Sequence, residues 1–226
     1  THPEILVPHW DDDATESVSR LNKIMSINYA SVTEEDRNRK KMYITQAKRL
    51  RIKKKVKTED VWLKKLSTTV TIKSINNENI TRTIQLFNKT NQLNLSTRRF
   101  TEEKLRIWLK EKNRLLKVIY VKDKFGDLGL VGIIGIIIKK NKAILSDYVL
   151  SCRVMGRKIE ELMIYLSIQY AKKFKSVYFE AKYIKTQRNR PTLDIFRNSN
   201  LEEIKKNYFI TKNFSNFKKP NFLKVK

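Results

Sequence analysis

"LSCRVMGRKIEE", residues 150–161, joins an apolar run to an amphipathic segment through Gly156, the only glycine after Gly135. Glycine serves where the backbone takes positive φ or must approach a ligand closely. Upstream, "KAILSDYVLSCRV" (142–154) is apolar and β-branched, a strand signature. Downstream, "GRKIEELMIYLSIQYAKKF" places Ile159, Leu162, Met163, Leu166 and Tyr170 at helical spacing. A strand that turns tightly into a helix leaves unpaired N–H groups at the positive end of the helix dipole, which is an anion site. Arg153, Arg157 and Lys158 crowd that turn, and cations there oppose the dipole unless a polyanion binds between them. Glu160 and Glu161 restore the usual sign one turn later. A plain strand–helix turn whose glycine only relieves strain fits the same residues equally well.

Working outward, "STTVTIKSI" (67–75) alternates β-branched residues and predicts a strand, and "NENITRTIQLFNKT" predicts a helix. After a polar loop, Thr101 caps a helix whose Leu105, Trp108 and Leu109 share a face. "LLKVIYVKD" and "GLVGIIGIIIKK" are strands joined at "KFGDLG". "SVYFEAKYI" is a strand, "RPTLDIFRNSN" a helix, and "NYFIT" and "NFLKVK" are late strands. Consecutive strands imply hairpins, and the strand–helix–strand passage implies a parallel crossover. The fold class expected is α/β (α+β): a mixed, mostly antiparallel sheet flanked by helices. Residues 1–65 read differently, as a polar helical adaptor. Val18, Leu21 and Ile24 have helical spacing there; Thr33 caps a second helix carrying Tyr43, Ala47 and Leu50. Residues 66–226 form the main domain.

Composition narrows the function. The apolar content of 40% fills a core, and the longest apolar run, Val131–Ile138, is far short of the ~20 residues of a membrane span. Cys152 is the single cysteine and His2 and His9 the only histidines, so a disulfide within the chain and a Cys- or His-based metal cluster are not expected. A cytoplasmic protein follows by default. The net charge of +26 points to nucleic acid, an acidic membrane face or an acidic protein. The charge is dispersed, and aromatic residues do not interleave with it as on a base-stacking platform, which disfavours nucleic acid.

"RVMGRK" (153–158) resembles a degenerate pyrophosphate loop of the GNAT acyltransferases, Arg/Gln-x-x-Gly-x-Gly/Ala, with Lys158 in the last small-residue position. "NRPTLDIFRNSNL" resembles that family's Asn-x-x-Ala-x-x-Leu-Tyr-x-x-x-Gly-Phe: Asn189 matches, Thr192 replaces Ala, Phe196 replaces Tyr and Asn200 replaces Gly. Almost the whole chain further resembles the C-terminal region of FkbH-like proteins, through "NKTNQLNLSTRRF" (88–100), "DKFGDLGLVG" (123–132) and "LSCRVMGR" (150–157). Those proteins join a HAD-type, phosphatase-related domain to a GNAT-like acyltransferase domain. The resemblance makes residues 1–65 the linker to an upstream HAD-type domain. The Asp-x-Asp nucleophile of such a domain is not read from "DDDA" (11–14), which lacks a preceding strand.

The resemblance implies an acyltransferase moving an acyl, possibly glyceryl-type, group between CoA or the phosphopantetheine of an acidic acyl carrier protein and a hydroxyl, amine or thiol. The setting implied is polyketide or surface-polysaccharide biosynthesis. In such folds two core strands splay and bind the pantetheine arm. Val149 and Leu150 would supply strand amides; Arg153, Val154, Met155, Gly156, Arg157 and Lys158 would hold the phosphates, and Asn189 would complete the CoA site. Asn88, Thr90, Asn91, Gln92, Asn94, Thr97, Arg98 and Arg99 would contact the acceptor or acyl group, anchored by Leu93 and Leu95. Cys152 is the candidate nucleophile and Asp147 the candidate base, though a small apolar cysteine and a solvated acid are the plainer readings. With Phe196 in place of the family's tyrosine, Tyr148 and Tyr183 are candidate acids. The alternative function is a non-catalytic carrier-protein docking module for the upstream domain.

Overall fold

Runs of β-branched residues set the sheet, and helices cover its faces. The computed structural model describes residues 39–226. The expectations for Val18, Leu21, Ile24, Thr33 and Asp11–Ala14, and both histidines, lie outside the described residues. Ala47–Lys226 forms one compact unit, and residues 39–46 belong to a separate one. Helix α1 spans Arg39–Lys54; Ala47 of its expected apolar stripe is exposed, whereas Arg49 is buried. Helix α2 (Glu59–Leu66) begins where the Thr58 hydroxyl accepts the Val61 N–H at 3.4 Å, with Glu59 and Asp60 in its first turn. Its Trp62, Leu63 and Leu66 are buried against Val56, Phe125 and Phe222.

Strand β1 (Thr69–Ser74) is followed by α3 (Ile80–Lys89), the two-residue β2 (Leu93–Asn94) and α4 (Glu102–Lys110). Three long strands come next: β3 (Arg114–Asp123), β4 (Gly126–Lys139) and β5 (Lys142–Leu150). Helix α5 (Ile159–Lys173) crosses to β6 (Tyr178–Lys182), and α6 (Arg190–Arg197), β7 (Glu202–Lys205), β8 (Tyr208–Thr211) and β9 (Lys224–Val225) complete the order. The sheet runs β7-β8-β6-β5-β4-β3-β1-β9, with β2 attached to β5 off this path. Two pairings are parallel, β5 with β6 and β1 with β9; the rest are antiparallel. This is the mixed, mostly antiparallel sheet with flanking helices that the sequence predicts.

Strand β4 reads as an almost continuous apolar run because both of its faces are covered. One face packs with α5 and holds Val131, Ile134, Ile136, Tyr148, Leu150, Leu162 and Met163. The other packs under α3 and α4 and holds Phe87, Leu105, Trp108, Leu116, Val118, Ile133 and Val149. Adjacent residues of β5 thus serve opposite cores, Tyr148 and Leu150 one and Val149 the other, as the two-residue period of a strand requires.

The structure departs from the sequence reading at three places. Strand β5 ends at Leu150, because Cys152–Val154 turn as a 3₁₀ segment in which the Val154 and Met155 N–H groups return to Ser151 and Cys152 carbonyls at 3.2 Å. "NFLKVK" contributes only Lys224–Val225, laid parallel to β1. Strand β2 forms where a polar loop is expected, and β7 in the stretch between the expected helix and "NYFIT" to which no element is assigned. Strand β7 is a hairpin partner of β8; β2 has a larger consequence for the site.

A register shift between β4 and β5 lies at Gly135 and Ile136. Gly135 faces Asp147 across this irregularity, and a Cβ built on it would overlap the Asp147 carboxylate and stand 3.0 Å from the Ser146 hydroxyl. Gly135→Ala is expected to cost about 1–3 kcal/mol through this overpacking, measured as a fall in urea midpoint at constant slope; an unchanged midpoint would show that the carboxylate has room to retreat.

Candidate functional site

Strands β5 and β6 pair in parallel only from Lys142↔Tyr178 to Leu145↔Ala181. Beyond Leu145 the edge of β5 needs another partner, since buried backbone groups are seldom left unpaired. The chain supplies it internally. Leu93 pairs with Leu150 and Asn94 with Val149 in antiparallel register. The Leu95 N–H then donates to the Tyr148 carbonyl and the Ile184 N–H to the Leu95 carbonyl, each at 3.0 Å. Residues 93–95 therefore bridge β5 to the chain that follows β6. Leu93, Asn94 and Leu95 are all 0% exposed, and both leucines join the core formed with Tyr148 and Leu150.

Side chains from the other end of the sequence clamp this inserted strand. Asn189 is fully buried, and its amide nitrogen donates to the carbonyls of Asn94 (2.9 Å) and Ile184 (2.8 Å). Its amide oxygen accepts from the Tyr183 hydroxyl (2.7 Å) and the Thr186 N–H (2.8 Å). The buried Thr192 hydroxyl accepts from the Asn94 N–H and donates to the Gln92 carbonyl, both at 2.9 Å. The Asn94 side chain closes its own loop, donating to the Thr90 carbonyl and accepting from the Thr97 N–H. Asn189 thus uses all four of its hydrogen-bonding positions inside the protein.

The polar segment around β2 is spent in the same way. Asn88 exchanges two hydrogen bonds with the Phe100 backbone, at 2.9 and 3.0 Å. Arg99 donates to the Phe87 and Thr90 carbonyls at the end of α3 and to the Asn91 side chain. Arg98 forms a two-pronged ion pair with Asp147, its Nε at 2.8 Å, while its guanidinium lies over Phe100 (4.9 Å) and Trp108 (5.3 Å). Asp147 also accepts from the Ser96 (3.1 Å) and Ser146 (2.8 Å) hydroxyls. The carboxylate nominated as a base is therefore buried, ion-paired and fully engaged. Gln92 has an exposed side chain, and only its carbonyl enters the clamp.

The turn after β5 has the backbone that its sequence predicts. Gly156 has φ +71°, and Lys158, at +62°, is the N-cap of α5. The groups around it face inward. The Gly156 N–H donates to the Glu160 carboxylate at 2.5 Å, so an internal anion stands at the head of the helix. Burial pushes the Glu160 carboxyl above its ordinary pKa despite that bond. Arg157 is 2% exposed and reaches back to Asp123 at 3.0 Å and to the Arg153 carbonyl at 2.9 Å. Asp123 is held from its other side by Arg49 of α1, at 2.7 and 2.9 Å. Burial first, and the neighbouring Arg49 charge second, lower the Arg157 pKa. Arg153 donates to the Ser151 hydroxyl at 3.1 Å, and Lys158 pairs with Glu161.

Cys152 is exposed in this turn, and Met155 beside it is 43% exposed. The candidate acids are engaged elsewhere. Tyr148 is fully buried and donates to the Glu160 carbonyl at 3.1 Å; burial pushes its phenol well above the ordinary value. Tyr183 donates to Asn189. Phe196 packs edge-on against Tyr148, with centroids 5.3 Å apart. Among the described residues no group of His, Cys, Asp and Glu side chains is placed to hold a metal, and no helix is long and apolar enough to cross a membrane.

The structure thus brings together Gln92, Asn94, Val149, Leu150 and Asn189 around one inserted strand, and holds Asp147 with Arg98 in a separate buried pair. Sequence reasoning missed Arg49, Asp123 and the ordering role of Thr192. The alternation of Leu93 and Leu95 inside a polar segment was the available signal for β2, although two leucines alone set no register.

No family model and no curated protein sequence matches this chain. Solved structures resemble it at low identity. A domain from Methanocaldococcus jannaschii aligns at 13% identity and TM-score 0.49, over 63% of this chain and 96% of its own. The ribosomal-protein-S18-alanine N-acetyltransferase of Escherichia coli aligns at 8% and 0.46, over 62% and 90%. A putative acetyltransferase from Salmonella typhimurium, solved with its cofactor acetyl-CoA, aligns at 10% and 0.47, over 63% and 93%. Likeness at this level assigns no family or activity to this chain.

The raised Glu160 pKa gives a pH signature. The unfolded chain releases this proton at lower pH than the folded one, so the group favours folding below its ordinary 4.5, and that contribution is lost as pH rises through the folded value. Glu160→Gln keeps an acceptor for Gly156 and removes the titration. Its Tm relative to wild type is expected to rise between about pH 4 and about pH 7; a difference that is flat, or falls with pH, would mean the carboxylate is stabilised where it sits.

Proposed function

We propose that this chain serves acyl transfer as a GNAT-like, acyltransferase-type domain that docks an acidic acyl carrier protein and leaves the thioester chemistry to an upstream HAD-type domain. The observation carrying this reading is the inserted strand: Leu93–Leu95 fills the gap between β5 and β6, where a pantetheine arm would have to lie. Fully burying two leucines contributes about 1.5–3 kcal/mol each, and each internal hydrogen bond about 1 kcal/mol. The two leucines alone make withdrawing β2 cost about 3–6 kcal/mol, which weakens any carrier that must open the cleft by about 10²- to 10⁴-fold even before the hydrogen bonds are counted. The phosphate end fares no better, since Glu160 takes the Gly156 N–H and Arg157 is buried against Asp123. The net charge of +26 favours encounter with an acidic carrier at low salt.

Catalysis by this domain, with CoA or acyl-CoA as donor, is the second reading. It is favoured by the shortness of β2, whose ladder is two residues long and whose flanks at Gln92, Ser96 and Thr97 are exposed or half-buried. Incubating the chain with radiolabelled acyl-CoA and with acylated carrier protein separates the two. The docking reading expects carrier binding without turnover. It also expects Thr192→Ala, which removes one clamp from β2, to lower stability by about 1–3 kcal/mol without producing transfer. Multiple turnovers by the wild-type chain, or transfer switched on by Thr192→Ala, would overturn it in favour of the transferase.

A further inference from the structure

The end of the sheet remote from β2 is built differently. Three connections meet there: the α4–β3 loop, the β4–β5 hairpin and the α5–β6 loop. Asn113 binds them on one side, its carbonyl accepting from the Ile138 N–H at 2.8 Å and its side chain donating to the Ile138 carbonyl at 3.2 Å. On the other side the Val177 N–H donates to the Asn141 carbonyl at 2.6 Å. The three loops are therefore one surface. The nine residues of β5, Lys142–Leu150, separate it from the β2 cleft, roughly 25 Å at the rise of a strand.

This surface is cationic and carries two exposed apolar side chains. Lys112, Lys139, Lys140, Lys172, Lys173 and Lys175 are exposed on the three connections, and Glu111 is the exposed carboxylate among them. Lys142 is neutralised by Glu180, at 3.0 and 3.2 Å. Phe174 is 44% and Val177 57% exposed, which makes them two of the protein's large exposed apolar side chains. A recess of about 540 Å³ opens along the hairpin, lined by Asn113, Ile138, Lys139, Lys140, Asn141, Lys142 and Tyr178. Lys140 (φ 51°) and Lys175 (φ 53°) hold left-handed backbone positions better suited to Gly or Asn. Lysine at both is conformationally unfavourable, yet it sets two flexible charges at the rim.

We infer that this end of the sheet, where Phe174 and Val177 lie exposed among the hairpin and α5 lysines, is where an acidic protein surface bearing an apolar contact docks. On the reading proposed above, that partner is the acyl carrier protein. Exposed apolar side chains beside charged ones are the materials of a protein interface. Lysines, as mobile point charges, suit reversible and salt-sensitive attraction to carboxylates, whereas planar two-pronged recognition of phosphates calls for arginine. The surface lacks stacking aromatics in series, which argues against single-stranded nucleic acid. Docking here leaves the carrier's arm well away from the closed β2 cleft, free to reach a different catalytic centre.

The test uses the full 226-residue chain and fluorescently labelled apo and holo acyl carrier protein, titrated by anisotropy at about 50 and about 200 mM salt. Wild type is expected to bind both forms, more weakly at the higher salt. The triple variant K140E/K173E/K175E is expected to lose about tenfold or more in affinity, and Phe174→Ser several-fold, with circular dichroism melts confirming that both are folded. K57E/K64E/K65E, which changes net charge equally on the far side of the chain, is expected to bind as wild type does. If wild type binds the carrier and the hairpin variants bind it equally well, the docking surface is wrong while the carrier reading stands. If wild type binds neither form at either salt, or prefers a single-stranded RNA of matched charge, both fall.

Discussion

Two parallel strands that pair over only four residues leave a row of backbone groups without partners, and what satisfies that row decides what the fold can do. In this protein Leu95 satisfies it, accepting from Ile184 on one side and donating to Tyr148 on the other. The rest of the region is arranged around that three-residue insertion. Asn189 and Thr192 hold its backbone, Asn94 turns its side chain back to close the loop, and Leu93 and Leu95 complete the core beneath α5. A buried polar network of this kind stabilises only when every member is satisfied. Here the pieces interlock: Asn189 has four partners, and Thr192 both accepts and donates.

The turn after β5 shows the same inward economy in its charges. Asp123 lies between Arg49 and Arg157, all three buried, and this arrangement ties helix α1 to the loop before α5. A carboxylate shared by two guanidiniums leaves positive charge in a poorly solvated place, consistent with the lowered Arg157 pKa and with Glu160 standing nearby. Arg157 and Gly156, which in sequence look like the elements of a phosphate loop, form instead part of the structural joint between α1, β3 and α5.

How much of this was legible depends on the range of the signal. Strands β3, β4 and β5 and helices α3, α4 and α5 declare themselves through local periodicity, joined for α4 by the Thr101 cap, because burial on two faces leaves a long apolar record. Gly156 also declares a positive φ, and it has one. The purpose of that bend was beyond the sequence, since the partner of its N–H is a side chain whose direction no local pattern specifies. Strand β2 was hidden for another reason. Two residues carry no usable periodicity, and their pairing partner lies more than fifty positions away. Asn189 was found as a site residue because of its resemblance to a CoA-family position, but its partners, Asn94 and Ile184, depend on β2 being there. Arg49 lies within a basic run that gives it no local distinction; only long-range contact with Asp123 tells it from its exposed neighbours Lys48 and Arg51.

Strand β5 therefore joins two unlike environments. Its Leu150 end is dry, paired and closed, with every candidate acid or base already engaged, so it offers rigidity and little chemistry. Its Lys142 end is wet and charged, and the one carboxylate buried there, Glu180, is taken by Lys142 and Tyr208. That bond, together with burial, pushes the Tyr208 phenol up to about 12, so it stays protonated and structural at neutral pH. Near the Leu150 end the candidate acids and base, Tyr148, Tyr183 and Asp147, are each bonded within the protein, while Cys152 is exposed. On the docking reading proposed above, the stiff sheet holds its cationic rim in place for a partner while the reaction proceeds at another centre.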